Sequence, residues 1–323
     1  MTTVVAHPRL HFGLLDLGHA THRIFGGVGA AIEQPETKVT VERSSSASVS
    51  GVDLSEDLVR DLLAALARLG DLRGEMDPVR VHVDAAPTAH IGLGSKTSVI
   101  LAVLAAANVE LDLGLTQREL QVLSGRGGTS GVGVHTFFEG GLIVDAGHRA
   151  IEPRHYRPSS AGPPGQIAPI LVSLEMPLDW DVSLLLVEGI RWSADAERRF
   201  FLANTPIDDG EVDRAIAIVC LDVAASVAER DLASFASSIR SLQAVGFKQR
   251  EIEAQPSAVR LLLEALQATP SVAAGMSSVG PLVYAVYRRA DAVSRAAIDR
   301  AAGTFGASVV ATTQFVNHGY GTR

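Results

Sequence analysis

The stretch Pro87-Thr88-Ala89-His90-Ile91-Gly92-Leu93-Gly94-Ser95-Lys96-Thr97-Ser98 joins two segments of different period. Before it, Val79, Val81 and Val83 alternate with polar residues, as one face of a β-strand does. After it, nine apolar residues run from Val99 to Ala107, as in a buried helix. A glycine-rich loop therefore opens a helix. Gly92 and Gly94 let the backbone approach a ligand closely, and the first helical N–H groups have no partner within the helix. The helix N-terminus carries partial positive charge, and Lys96 adds a full one. Ser95, Thr97 and Ser98 supply hydroxyls suited to phosphate oxygens or to hydrated Mg²⁺. A Gly/Ser turn that merely starts a helix needs neither the lysine nor these hydroxyls, so the combination points to phosphate binding.

The rest of the chain bounds that reading. At 323 residues it is long for one core, and two domains are expected. A composition of 47% hydrophobic and 20% charged residues is that of a globular protein. The net charge of −8 argues against a general nucleic-acid or membrane-surface binder, so any anion site must be built locally. Cys220, the single cysteine, lies in an apolar run and reads as a buried structural thiol. His82, His90, His155 and His318 show no metal-ligand spacing. The N-terminus lacks a signal-peptide pattern, and no apolar run reaches the roughly 18 residues of a membrane span. A soluble cytoplasmic protein is expected.

Along the chain, Thr3–Leu10 reads as a first strand, leading into a segment with five glycines between Gly13 and Gly29. Lys38–Glu42 alternates as a strand, and Ser44–Ser50 reads as a serine-rich loop. Ser55 caps a helix with Leu58, Leu62, Leu63, Leu66 and Leu69 on its apolar face, ending at Gly70. Thr116-Gln117-Arg118-Glu119 is a capping box for a short helix, followed by a second glycine-rich loop, Gly125 to Gly133, and a strand at Gly141–Asp145. Arg157–Gly165 holds three prolines and two glycines in nine residues and marks the expected boundary between domains 1–160 and 161–323. Beyond it, strands are expected at Ile167–Leu174, Val182–Val187, Leu282–Tyr287 and Ser308–Thr313. Helices are expected over Glu211–Glu229, Asp231–Val245, Ser257–Ala268 and Ala290–Ala302. A third Gly/Ser turn spans Gly275–Pro281. Strands and helices mix without a βαβ rhythm, so the fold class is α+β.

Three Gly/Ser elements in this order resemble the GHMP kinase superfamily: Pro8-Arg9 after the opening strand, the Gly92–Ser98 loop and the Gly275–Pro281 turn. The resemblance implies an N-terminal domain of ribosomal-S5 type, a C-terminal ferredoxin-like domain and a site between them. One position departs from the kinases. Mevalonate-kinase-like members carry Ser-Gly-Val-Asp, with a catalytic carboxylate on the Asp. Here the run is Ser130-Gly131-Val132-Gly133, and Gly133 cannot orient or deprotonate a hydroxyl. Lys96 also replaces the kinases' usual second serine. Arg9–Asp16, Gly26–Gly29, Gly92–Thr97, Gly127–Gly133 and Gly140–His148 together resemble one branch, the β-ribofuranosylaminobenzene 5′-phosphate synthases, with C-nucleoside synthases of the formycin and pyrazofurin type. That branch joins phosphoribosyl pyrophosphate (PRPP) to a carboxylated aromatic ring through a β C–C bond, releasing pyrophosphate and CO₂.

The resemblance implies roles for named residues. Lys96, Asp16 and Arg9 become the catalytic candidates. Gly92, Gly94, Ser95, Lys96, Thr97 and Ser98 would hold pyrophosphate, with Ser95, Ser98 or Asp16 as Mg²⁺ ligands. His11 faces the phosphates or is a core histidine; Asp16 holds ribose or caps a turn. Arg23 reaches a phosphate or carboxylate or lies exposed. Gly128, Thr129 and Ser130 would contact the 5′-phosphate or the acceptor. Asp145, His148 and Arg149 follow a strand end, as site residues often do, or form a polar turn. Ser277 and Ser278 would close the site from the second domain. The branch implies a homodimer. An ATP-dependent small-molecule kinase and a non-catalytic phosphate-ligand sensor are the competing readings.

Overall fold

The computed structural model describes residues 1–74, 77–158 and 166–323. The expected boundary at Arg157–Gly165 lies largely outside the described residues, since 159–165 are not among them. Three sheets and eleven α-helices carry the described chain. The first sheet holds β1 (Thr2–Ala6), β4 (Thr37–Arg43), β5 (Ser48–Gly51), β6 (Val79–Ala85) and β14 (Gly321–Thr322), in the order β14-β1-β4-β6-β5. The second is built on β2 (Arg9–Asp16), β3 (Arg23–Ala31), β7 (Leu142–Asp145) and β9 (Ile170–Leu174), with β8 (His148–Arg149) also paired to β3. The third runs β11 (Ala273–Met276), β12 (Leu282–Arg288), β10 (Trp180–Leu186) and β13 (Ser308–Gln314). Pairing is antiparallel except between β5 and β6. The architecture is α+β, as expected. Strands β9 and β14 join sheets formed by the first half of the chain, so both halves contribute to two of the three layers.

Helix α2 (Ser95–Glu110) explains the apolar run after the loop. It is buried on every side from Ser98 to Ala107, because β1 and β4 cover one side while α1 (Glu56–Arg73) and α4 (Val132–Glu139) cover others. Valines of β4 and β6 meet it across the first sheet: Val39, Val41, Val81 and Val83 are fully buried. The α1 stripe is amphipathic, with Leu62, Leu66 and Leu69 buried, but Leu63 faces outward and the helix runs past Gly70 to Arg73. The capping box at Thr116 forms as expected and starts α3 (Gln117–Leu123).

Several expectations are corrected. Thr3–Leu10 is two strands in two sheets, not one. Pro8 cannot donate to a ladder, and the chain turns there while its carbonyl accepts from Ile32 N–H at 3.0 Å. The Gly13–Gly29 segment is mostly strand. Gly27 sits where a Cβ would lie 2.5 Å from Ser130 Oγ, so the glycine admits a close crossing. Part of Ser44–Ser50 forms the edge strand β5. The second glycine-rich loop ends at Gly131, and Gly133 is already the second residue of α4.

In the second half, α6 (Asp209–Ala217), a π-helical segment (Ile218–Val223) and α7 (Ala224–Ala228) form one helical run near the expected span. Asp231 caps α8 (Leu232–Gln243) by accepting from Ala233 and Ser234 N–H. Helices α10 (Ser257–Gln267) and α11 (Ala292–Phe305) cover one face of the third sheet. Helices α5 (Ala194–Ala203) and α9 (Gly246–Glu253) were not foreseen; both bear on the site. No helix among the described residues is long and apolar enough to cross a membrane.

Candidate active site

The glycine-rich loop, β2, the second loop and α5 enclose a cavity of about 380 Å³. Gly94 occupies the left-handed region at φ 74° and caps α2 without a side chain. A Cβ there would press on the Arg9 guanidinium at 3.1 Å. Glycine is thus required both by its backbone angle and by the arginine laid over it. The helix bonds begin with Thr97 and Ser98 N–H, both donated to Gly94 O, which leaves Ser95 and Lys96 N–H without intrahelical partners. These amides, the helix dipole and the cationic side chains make the loop a preorganised anion site.

Two guanidiniums dominate it. Arg9 donates from Nη1 to Gly92 O at 2.5 Å, while its Nε is buried without a partner. Burial, with Arg126 nearby, pulls its pKa down to about 10. Arg126 donates from Nε to Thr97 Oγ1 at 3.1 Å, and burial lowers its pKa too, against the opposing pull of Asp61 and Glu197. Two desolvated cations face one cavity, which is the electrostatic form of a site for a polyanion. Lys96 lines the rim, but its ammonium is paired to Asp61 of α1. Its charge is therefore shared, whereas Arg9 has no carboxylate partner among the described residues.

The third Gly/Ser turn docks onto the first loop. Ser277 is fully buried; its Oγ donates to Gly92 O at 2.8 Å and accepts from His11 N–H at 3.0 Å. Ser278 N–H donates to His11 O at 3.0 Å, and Ser278 lines the cavity. His11 continues the wall. Its Nε2 lies 3.1 Å from Ser130 Oγ, which donates onward to Asp145 Oδ2 at 3.0 Å. Ser130 spends its proton on Asp145, so His11 Nε2 carries the hydrogen between them. Burial, then Arg9 and Lys248, hold His11 far below the ordinary histidine range, so the ring is neutral. Asp145 is wholly buried, and desolvation raises its pKa to about 6 despite amides from Gly147 and Gly131. It orients Ser130 and the start of α4 from behind the wall. Serine is the middle member of this chain, so the arrangement positions His11 and is not a nucleophilic triad.

Several candidates serve the scaffold instead. Ser98 is buried and donates to Thr37 Oγ1 at 2.9 Å, pointing into the core and away from the cavity. Asp16 accepts from Gly18 N–H, Thr21 N–H and Thr21 Oγ1 and thereby ties the β2–β3 turn. Arg23 donates to Ala146 O and Gly147 O, and His148 Nε2 pairs with Gly127 O; neither lines the cavity. Arg149 is exposed. Thr129 lines the cavity while its hydroxyl donates to Arg157 O at 2.9 Å; its neighbour Gly128 is not among the lining residues. Of the expected Mg²⁺ ligands, Ser95 alone faces the cavity. Among the described residues, no cluster of three His, Cys, Asp or Glu could hold a metal ion. The donor set therefore suits an ion that arrives with a polyphosphate better than a resident one.

A contrast follows. Ser95→Ala should raise the KM for a phosphorylated ligand with little change in melting temperature. Ser98→Ala should leave KM unchanged and lose about 1–3 kcal/mol of stability, because the buried Thr37 hydroxyl loses its partner. Steady-state kinetics beside thermal melts check both halves.

Sequence reasoning missed Arg126, Lys248 and Glu251. Arg126 stands between glycines of the second loop, and only the fold brings it to Thr97. Lys248 and Glu251 lie on α9, whose polar Gly246-Phe247-Lys248-Gln249-Arg250-Glu251-Ile252-Glu253 reads as a solvated helix yet buries both ions as a pair.

The family model for the GHMP kinases N terminal domain matches residues 57–141. Homoserine kinase from Cytophaga hutchinsonii superposes with a TM-score of 0.69 at 13% identity, over 99% of this chain and 97% of that one. Streptococcus pneumoniae phosphomevalonate kinase gives 0.70 at 13% identity, over 98% and 100%. The protein thus has the GHMP kinase fold, with the cavity over its glycine-rich loop. Among curated sequences, beta-ribofuranosylphenol 5′-phosphate synthase from Archaeoglobus fulgidus is 32% identical over 86% of this chain and 85% of its own. The same-named protein from Methanothermobacter thermautotrophicus is 33% identical over 86% of each. The chain belongs to this β-ribofuranosylphenol 5′-phosphate synthase family.

Proposed function

We propose that the protein transfers the 5-phosphoribosyl group of PRPP to an aromatic carboxylic acid, forming a β C–C glycosidic bond and releasing pyrophosphate and CO₂. The observation that carries this is the pair of desolvated arginines, Arg9 and Arg126, facing the cavity at the α2 N-terminus, with an unpartnered Nε on Arg9. Pyrophosphate leaves C1 of the ribose with the bonding electrons. Arg9, Arg126 and the free α2 amides are already in place to stabilise that developing charge. PRPP enters with its Mg²⁺, for which Ser95 is the available hydroxyl. The ring carbon bearing the carboxylate attacks C1 from the opposite face, giving the β anomer. The bond to the carboxylate then breaks, CO₂ leaves, and its electrons restore the aromatic ring. No proton leaves the attacking carbon, so Gly133 is compatible with this chemistry although it suits a hydroxyl phosphorylation poorly.

The relatives' name supports a phenolic product, so 4-hydroxybenzoate is the first acceptor to test. 4-Aminobenzoate and 4-aminopyrazole-dicarboxylate complete the series and include the C-nucleoside reading. Pyrophosphate release from Mg–PRPP that requires one of these acids, with CO₂ in step, is the expected result. No release with any acid, alongside ADP formation from ATP and a sugar alcohol, would overturn the proposal in favour of a kinase.

A further inference from the structure

Glu251 is 4% exposed, yet it lines the cavity. Lys248, one turn earlier on α9, holds one carboxylate oxygen. The ammonium is itself fixed by Ser278 O at 2.9 Å, so it clamps the carboxylate from the side of the third turn. Among the described residues no other side chain pairs with Glu251. A carboxylate accepts about four hydrogen bonds, so one oxygen remains available to the cavity. Burial raises its pKa despite Lys248, which makes it a stronger proton acceptor than an ordinary glutamate. The wall beside it is apolar and aromatic. Phe201 lines the cavity and packs on Phe247 with centroids 4.6 Å apart, and Phe247 lies four residues before Glu251 on the same helix face. Leu14 lines the cavity as well. The arginines and the α2 N-terminus supply the cationic part of the same cavity. Such a cavity suits pyrophosphate on the arginines and, across the ribose from it, a flat aromatic acceptor whose hydrogen-bond donor points toward Glu251.

We propose that Glu251 is a catalytic residue that accepts the hydrogen bond, and then the proton, of a ring hydroxyl para to the acceptor's carboxylate. This rests on the transfer reading above and deepens it by naming the residue that activates the acceptor's ring. As the O–H proton moves to the Glu251 carboxylate, the oxygen's electron pair flows through the ring to the carbon bearing the carboxylate. That carbon bonds to ribose C1, and the C1–O bond to pyrophosphate breaks with its electrons leaving on the phosphate. Loss of CO₂ returns an electron pair to the ring, and the proton returns from Glu251 to the phenolic oxygen.

The test compares wild type with Glu251→Gln on 4-hydroxybenzoate and on 3,5-difluoro-4-hydroxybenzoate, whose phenol is ionised near neutral pH. PRPP binding is followed by calorimetry. On 4-hydroxybenzoate, kcat should fall roughly 100-fold or more, the usual weight of a general base. PRPP affinity should stay unchanged, and the difluoro acid, already a phenolate, should lose far less. The acid limb of the wild-type pH profile should vanish in the variant. Equal losses on both acids, an unchanged kcat, or weakened PRPP binding would overturn the role. Where Glu251→Gln does not fold, Glu251→Asp serves: a retained acid limb with reduced kcat supports the base, and its disappearance refutes it. A wild-type enzyme silent on every aromatic acid would instead overturn the transfer reading, and this role with it.

Discussion

Arg9→Met is expected to remove PRPP turnover while making the free protein more stable. The two effects have one cause. Under the proposed function, Arg9 holds its charge in a desolvated place in order to bind a polyanion. Its pKa is pulled down to about 10 by burial first and Arg126 second. For a base, a depressed folded-state pKa means that folding works against the charged form. The penalty is full at neutral pH and fades only as pH rises through about 10 toward the unfolded value. Its size is up to roughly 3 kcal/mol, and less where cavity water screens the group. Methionine nearly fills the same volume and carries no charge. Gly92 O loses one donor but keeps Ser277 Oγ at 2.8 Å, so no carbonyl is orphaned. The melting temperature of the unliganded protein should therefore rise. Meanwhile kcat/KM for PRPP should drop by roughly 10²–10³ or more, the weight of a preorganised donor at a developing charge. Arg9→Lys should recover little, since an ammonium cannot reach both Gly92 O and the ligand with the guanidinium's planar fork. A variant that melts lower and turns over normally would remove Arg9 from the site and reduce it to a loop clamp.

What the sequence revealed follows from how local each signal is. The Gly92–Ser98 loop and α2 were legible because strand alternation, two glycines and an unbroken apolar run lie within one stretch. The caps at Ser55 and Thr116 were legible for the same reason. The site was legible only in part. Ser95 faces the cavity as its place in the loop suggested, and Arg9 faces it as the resemblance to the kinases implied. Ser98 lies about one turn deeper on nearly the same side of α2, where β4 covers the helix and Thr37 takes its hydroxyl. Asp16 takes the turn-capping alternative its sequence already offered, while Arg23 spends its guanidinium on Ala146 O and Gly147 O, which only the fold brings near. Glu251 and Lys248 were illegible because a buried ion pair on a polar helix has the composition of a surface helix; only tertiary packing separates the two. The strand break at Pro8 shows the limit of period alone: alternation from Thr3 to Leu10 continues through a residue that cannot donate to a ladder.

Gly133→Asp tests whether the missing carboxylate matters through charge or through space. An added Cβ at Gly133 would lie 3.7 Å from both Arg9 Nε and Thr97 Cγ2, ordinary contact distances. The position is the second residue of α4, where an acidic side chain also favours the helix dipole. Nothing steric therefore keeps aspartate out. Its carboxylate would approach the unpartnered Nε of Arg9 and neutralise the cation to which the proposed function assigns pyrophosphate. The variant should melt higher than wild type, since Arg9 gains a counter-ion and a helical glycine is replaced, the latter worth a few tenths of a kcal/mol for aspartate and about 0.5–1 kcal/mol for alanine. Its KM for PRPP should rise roughly 100-fold, since a lost charge-assisted bond of about 1.5–3 kcal/mol is joined by repulsion of the phosphates. Gly133→Ala should gain the propensity term and keep its PRPP affinity, which separates charge from bulk. If the aspartate variant binds PRPP as tightly as wild type, Arg9 does not meet pyrophosphate. If alanine alone is as damaging as aspartate, the position is reserved for the space a substrate occupies, and the empty place beside Arg9 belongs to the ribose rather than to charge balance.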